Sequence, residues 1–195
     1  MNTNRNLPDL GPACAGVASL LGGISDDQLG GPTPCPDYAV SDLLSHFLAL
    51  TAAFRDAARK EPGPTTEIPP TPFPEPLDPD WRELLPRQLD TLAAAWRSPT
   101  AWEGDTRVGG VDLPGEAAGR FGLNEVLIHG WDLARSTGQA YAPDEASLRS
   151  SYTLLIQPGE GRPFGPPVEV HESAPLLDRV VGLSGRRPEW AAAGT

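Results

Sequence analysis

The sequence predicts an all-α fold, and three observations carry that expectation. Apolar residues recur at helical spacing in 40–60 and again in 81–97. Residues 121–135 are apolar almost all the way round a helix, the pattern of a helix buried in a core. Proline and glycine clusters separate these segments, as expected of loops.

Residues 8–29 read as a first amphipathic helix carrying Leu10, Val17, Leu20 and Leu21, interrupted at Gly22 and Gly23 and resumed after Ser25. GGPTPCPDYAV then turns the chain into a second helix, VSDLLSHFLALTAAFRDAARK (40–60). Ser41 is its expected N-cap, and Asp42 in the first turn favours the helix dipole. Leu43, Phe47, Leu50 and Phe54 form the apolar stripe; His46 borders it and should face the interior. Residues 62–79 hold too many prolines for a helix or central strand and are expected as a loop, partly in extended polyproline form.

WRELLPRQLDTLAAAWR (81–97) reads as a third helix with Leu84, Leu85, Leu89, Leu92 and Trp96 near one face, and Pro86 predicts either a kink or a later start. Residues 106–114 read as a short hairpin or a plain loop, and 121–135 as the fourth helix. A helical stretch is expected around 145–155. Residues 156–195 then form a short, irregular C-terminal extension, in which Leu177, Val180, Val181 and Leu183 suggest one helix stopping near Gly185 and Pro188.

At 195 residues the chain is long enough for one well-cored domain and short for two, so one domain over 1–195 is expected. The net charge of −11 repels phosphate backbones, and no basic stripe offsets it, which argues against nucleic acid as a partner. Cys14 and Cys35 are the only cysteines and form no Cys-x-x-Cys unit, so neither a disulfide framework nor a redox motif is indicated. Neither a signal peptide nor a membrane span is read; a cytoplasmic location is expected. No repeat, glycine-rich phosphate loop or Gly-x-Ser-x-Gly elbow is found.

The chemistry concentrates in FGLNEVLIHGWDLAR (121–135). At roughly 100° per residue, Glu125, His129 and Asp132 share a sector of about 60° on an otherwise apolar helix. A carboxylate and an imidazole buried together must be paired, hydrogen-bonded or bound to metal. One reading is an ordinary i,i+4 pair, worth about 0.2–0.5 kcal/mol. The other joins His46 to Glu125 and His129 as a two-nitrogen, one-oxygen ligand set with a fourth position open, the arrangement of catalytic zinc sites. In that reading Glu125 is a ligand, unlike the glutamate base of a His-Glu-x-x-His protease. His171, in PPVEVHES, reads as a solvent-facing or loop-packing residue.

TPCPDYAVSDLLSHFLALTAAF (33–54) and LNEVLIHGWDLARSTGQ (123–139) resemble, in order and separation, the two signature segments of the DinB-like, mycothiol-dependent maleylpyruvate isomerase N-terminal family. The tail RPFGPPVEVHESAPLLDRVVGLSGRRPEW is similar to that of a short, metal-binding actinobacterial branch. The resemblance implies a DinB-like four-helix bundle holding a divalent metal, usually zinc, through His46, Glu125 and His129; Asp132, one turn beyond His129, is expected to orient a ligand from behind. It also implies a low-molecular-weight thiol such as mycothiol as co-reactant and a small electrophile as substrate. Two departures bear on activity. Tyr38 stands where a tryptophan is more usual, and the chain has no counterpart to the isomerase's sizeable C-terminal domain, so maleylpyruvate itself is not the expected substrate. Metal-activated water serving a hydrolase or lyase, and a non-catalytic metal or small-molecule binder, are the alternative expectations.

Overall fold

In the computed structural model, which describes residues 7–69, 75–157 and 165–192, helix α1 spans Gly11–Leu21. Pro12 suits its first turn, where no amide partner is lost. Leu10, Val17, Leu20 and Leu21 are buried as the periodicity predicts, and a 3-10 turn, Asp26–Gln28, resumes after the glycines. The turn that follows is closed on itself. The Thr33 hydroxyl sits 2.8 Å from the carbonyls of both Cys35 and Tyr38 and accepts the Cys35 amide at 3.1 Å.

Helix α2 spans Val40–Arg59. Ser41 is not its cap: the cap is Ala39, two residues earlier, so Asp42 is the third helical residue and its carboxylate accepts the Ala39 amide at 2.9 Å. Leu43, Phe47, Leu50 and Phe54 are buried along its inner face. The proline-rich segment is not loop throughout, because Pro64–Glu67 makes one helical turn, α3. Proline there occupies the first helical position, which it favours, and the Thr66 hydroxyl accepts the Gly63 amide at 2.9 Å. Residues 70–74 of this segment lie outside the described residues.

Helix α4, Trp81–Trp96, starts at Trp81 and runs through Pro86, so proline does not delay its start. Strands β1, Asp105–Val108, and β2, Val111–Pro114, form the hairpin. Its two turn residues, Gly109 and Gly110, have φ of 62° and 76°, the left-handed pair that a type I′ turn demands.

Helix α5, Gly115–Thr137, begins six residues before the predicted start at Phe121. Its first turns carry Gly115, Ala118 and Gly119, buried without large apolar side chains. A Cβ on Gly119 would lie 2.5 Å from the Trp102 ring. Close packing against Trp96 and Trp102 thus replaces the apolar stripe that would have announced the helix.

Helices α1, α4, α2 and α5 pack in a closed ring, each against two neighbours, forming the four-helix bundle. Helix α6, Glu145–Leu155, is capped by Asp144, whose carboxylate accepts the Ser147 amide at 3.0 Å, and lies against α5. Helix α7, Leu176–Leu183, lies on α6 within the C-terminal extension. Val180 joins Leu127, Ile128, Leu148 and Leu155 in a second apolar cluster outside the ring. This cluster explains why α5 is apolar on nearly all sides: the bundle covers one face and α6 with α7 covers another. Among the described residues no helix is long and apolar enough to cross a membrane.

Candidate metal centre

Helices α2 and α5 bring His46, Glu125 and His129 together. Their potential ligand atoms all lie within 4.8 Å of one another. The Glu125 Oε2 is 3.2 Å from His129 Nε2 and 3.6 Å from His46 Nε2, and the two imidazoles meet edge to face with centroids 4.9 Å apart. His129 is buried, whereas His46 and Glu125 are half-buried, so the cluster opens on the side of those two. Phe47 packs edge-on to His129 with centroids 6.1 Å apart, and Tyr38 lies against His46 at 5.4 Å.

Behind His129 runs a second set of contacts. Its Nδ1 is 3.0 Å from Oδ2 of the fully buried Asp132, the orienting contact expected from one turn away on the same face. Asp132 in turn accepts two bonds from Arg186, Nη2 to Oδ2 at 3.0 Å and Nε to Oδ1 at 3.3 Å. Arg186 gives a further bond from Nη1 to the Ser184 carbonyl at 2.8 Å. It follows Gly185, whose φ of 83° turns the chain back after α7. Sequence reading missed Arg186. The available signal was Asp132 itself, since a carboxylate on a buried apolar helix requires a cation, and the arginines just past the last helix were candidates.

The donor set suits a divalent metal. Two imidazole nitrogens and a carboxylate oxygen on two packed helices match zinc's preferences, and a ligating histidine usually gives its other ring N–H to a carboxylate, as His129 can to Asp132. An isolated i,i+4 pair would need neither His46 nor Asp132. His171 is exposed and pairs locally with Ser173, apart from this cluster.

Electrostatics sharpen the picture. Burial disfavours charge on Glu125, but hydrogen bonds from His129 and His46 outweigh it and hold the carboxyl well below the usual range. Burial lowers the His46 pKa against the opposing Glu125 bond. For His129 burial also opposes protonation, yet the bonds to Asp132 and Glu125 win and push its pKa up to about 9. Because this folded pKa exceeds the ordinary histidine value of 6.5, metal-free protein draws stability from the His129 proton fully below 6.5 and loses it as pH rises through about 9. A metal must displace that proton. Apparent zinc affinity should therefore rise roughly tenfold per pH unit where His129 is protonated and level off above about 9. Competition titration with a chromophoric chelator across pH 6 to 9 checks this, and a flat profile would contradict it.

The protein's own thiols sit in different surroundings. Cys14 is buried and its pKa is pushed up to about 12, chiefly by desolvation. Cys35 is also raised by burial, although Arg186, brought close by the fold from far along the sequence, pulls the other way.

A family model described as the mycothiol maleylpyruvate isomerase N-terminal domain matches residues 10–134, a span that contains His46, Glu125 and His129. Uncharacterized protein Rv0738 of Mycobacterium tuberculosis (strain ATCC 25618 / H37Rv) is 27% identical over 176 residues, covering 87% of this chain and 91% of its own length. Uncharacterized protein MT0763 of strain CDC 1551 / Oshkosh matches to the same extent. The crystal structure of a mycothiol-dependent maleylpyruvate isomerase is similar at a TM-score of 0.56 and 22% identity, over 80% of this chain and 73% of that one. A histidine-to-alanine mutant of that isomerase gives 0.58 and 23% over the same shares. At such identity these likenesses speak for the fold. The family model covers well over half the chain, which therefore belongs to the mycothiol maleylpyruvate isomerase N-terminal domain family.

Proposed function

We propose that this chain is a divalent-metal enzyme, with zinc the expected metal, that uses a low-molecular-weight thiol such as mycothiol to transfer to, or isomerise, a small electrophilic substrate in the cytoplasm. The observation that carries the reading is the convergence of His46, Glu125 and His129 within 4.8 Å, with His129 tied back to Asp132. In that role His46 and His129 each offer Nε2 and Glu125 offers Oε2. Asp132 keeps the proton of His129 on Nδ1, away from the ligand side. A bound divalent metal would supply a Lewis-acid position at which a thiol ionises at neutral pH.

Charge favours an anionic co-reactant. Arg186 neutralises Asp132, so with both histidines neutral a divalent cation beside Glu125 leaves one positive charge unmatched. A thiolate would match it. The chain's own thiols are poor nucleophiles, since burial raises both Cys14 and Cys35, and the sulfur is best supplied from outside. The solved structures of similar fold are of a mycothiol-dependent maleylpyruvate isomerase. For this chain the reading extends to the thiol, with the electrophile defined only as small.

Two chemistries separate by stoichiometry. In isomerisation the sulfur adds to an activated C=C bond, the new single bond rotates and the same sulfur leaves, so no thiol is consumed. In transfer the carbon beside the new C–S bond takes up the proton the thiol gave up, so the C–S bond persists and thiol disappears one for one with electrophile. Cobalt-substituted protein tests the thiol itself. Adding mycothiol should produce a sulfur-to-cobalt charge-transfer absorption that Cys14→Ser and Cys35→Ser leave unchanged. No response in a fully loaded sample would favour metal-activated water and hydrolase or lyase chemistry; a signal that requires Cys35 would assign the sulfur to the protein.

A further inference from the structure

We infer that Arg186 is a positioning residue for the metal centre, so that the C-terminal extension completes a site whose ligands all lie on the bundle. This rests on the metal reading above. His46, Glu125 and His129 come from α2 and α5, inside the span of the family model, whereas Arg186 lies 54 residues beyond Asp132 and outside that span.

The geometry carries the inference. Asp132 is fully buried and has two oxygens to satisfy. Arg186, itself 8% exposed, meets both oxygens through Nε and Nη2, a fork that fixes the plane of the carboxylate. Oδ2 is shared: it receives Arg186 Nη2 at 3.0 Å and faces His129 Nδ1 at 3.0 Å. The direction in which His129 presents Nε2 is thus set by a carboxylate that Arg186 holds still. Arg186 is held in its turn by the left-handed Gly185, by its amide bonded to the Val181 carbonyl at 3.1 Å, and by Nη1 on the Ser184 carbonyl. A lysine could supply the charge but not the fork. The tail has a separate anchor, since Arg135 donates from Nε to the Trp190 carbonyl at 2.9 Å. Loosening the tail and breaking the relay are therefore separable.

The test is a double-mutant cycle in full-length protein, read as zinc affinity by competition with a chromophoric chelator. Arg186→Gln should weaken zinc binding roughly 10–100-fold, the range for partners that orient a ligand. Arg186→Lys should fall between Arg186→Gln and wild type. In an Asp132→Asn background Arg186→Gln should cost little more, because its effect passes through Asp132. Arg135→Ala, which frees the tail at Trp190 alone, should leave zinc affinity within about twofold of wild type. If Arg186→Gln fails to fold, Arg186→Lys decides, since it must still bind zinc more weakly than wild type. Wild-type affinity in Arg186→Gln, or an equal loss with and without Asp132, overturns the inference while leaving the metal reading intact. A wild-type protein that takes up no zinc overturns both.

Discussion

His129→Ala should abolish stoichiometric metal binding while leaving the helical content in place. Structural zinc sites are worth about 10–16 kcal/mol in total, so one ligand of a three-residue set carries roughly 3–5 kcal/mol, a loss of roughly a hundredfold to several thousandfold in affinity. Alanine at this position also removes the group that faces both the half-buried Glu125 and the fully buried Asp132, leaving two carboxylates around an empty volume. The loss should therefore sit at the upper end of that range. His46→Ala and Glu125→Ala should follow the same pattern, with His46 the mildest because it is half-buried and its contact to Glu125 is longer, at 3.6 Å. Equilibrium dialysis with elemental analysis, paired with far-ultraviolet circular dichroism, gives both readouts. Any one variant that binds zinc as tightly as wild type removes that residue from the ligand set.

Phe47→Ala has the largest expected effect on stability. Phe47 has no exposed surface, belongs to the bundle core and stands edge-on to His129. Deleting a fully buried phenylalanine ring costs about 3–5 kcal/mol through lost transfer energy and the cavity left behind. In a domain of this size that corresponds to a fall in Tm of roughly 10 °C. Zinc should return part of the loss, since any ligand that binds only the folded state stabilises it by mass action. Thermal unfolding with and without saturating zinc measures both quantities, and a Tm within 2–3 °C of wild type, about the shift of a single kcal/mol, would show that this part of the core is not close-packed.

The residues that sequence reading placed correctly are those whose positions follow from local periodicity. Glu125, His129 and Asp132 share a face because they share one helix. His46 turns inward because Leu43, Phe47 and Leu50 around it are buried. The sequence left 106–114 open between a hairpin and a plain loop, and the left-handed pair Gly109 and Gly110 decides for the hairpin. What sequence reading missed depends on contacts between distant segments or on small residues. The start of α5 is carried by Gly115, Ala118 and Gly119 under two tryptophans, a packing solution with no apolar stripe to read. Asp42 displaced Ser41 as the stabilising residue at the start of α2 through a two-residue shift of the cap, from Ser41 to Ala39, which pattern alone does not resolve. Arg186 reaches Asp132 only after α7 and Gly185 have reversed the chain. The three clustered side chains were therefore visible in the sequence, and the arginine that pairs with Asp132 behind them was not.

The central claim is that His46, Glu125 and His129 hold a divalent metal, and the most direct measurement of it is the metal content of the wild-type protein. Elemental analysis after chelator-free purification, repeated after reconstitution with zinc at pH 7.5 and exhaustive dialysis, should give about one divalent metal per chain, the stoichiometry of a single three-ligand site. Protein that retains no metal under either condition would contradict the account.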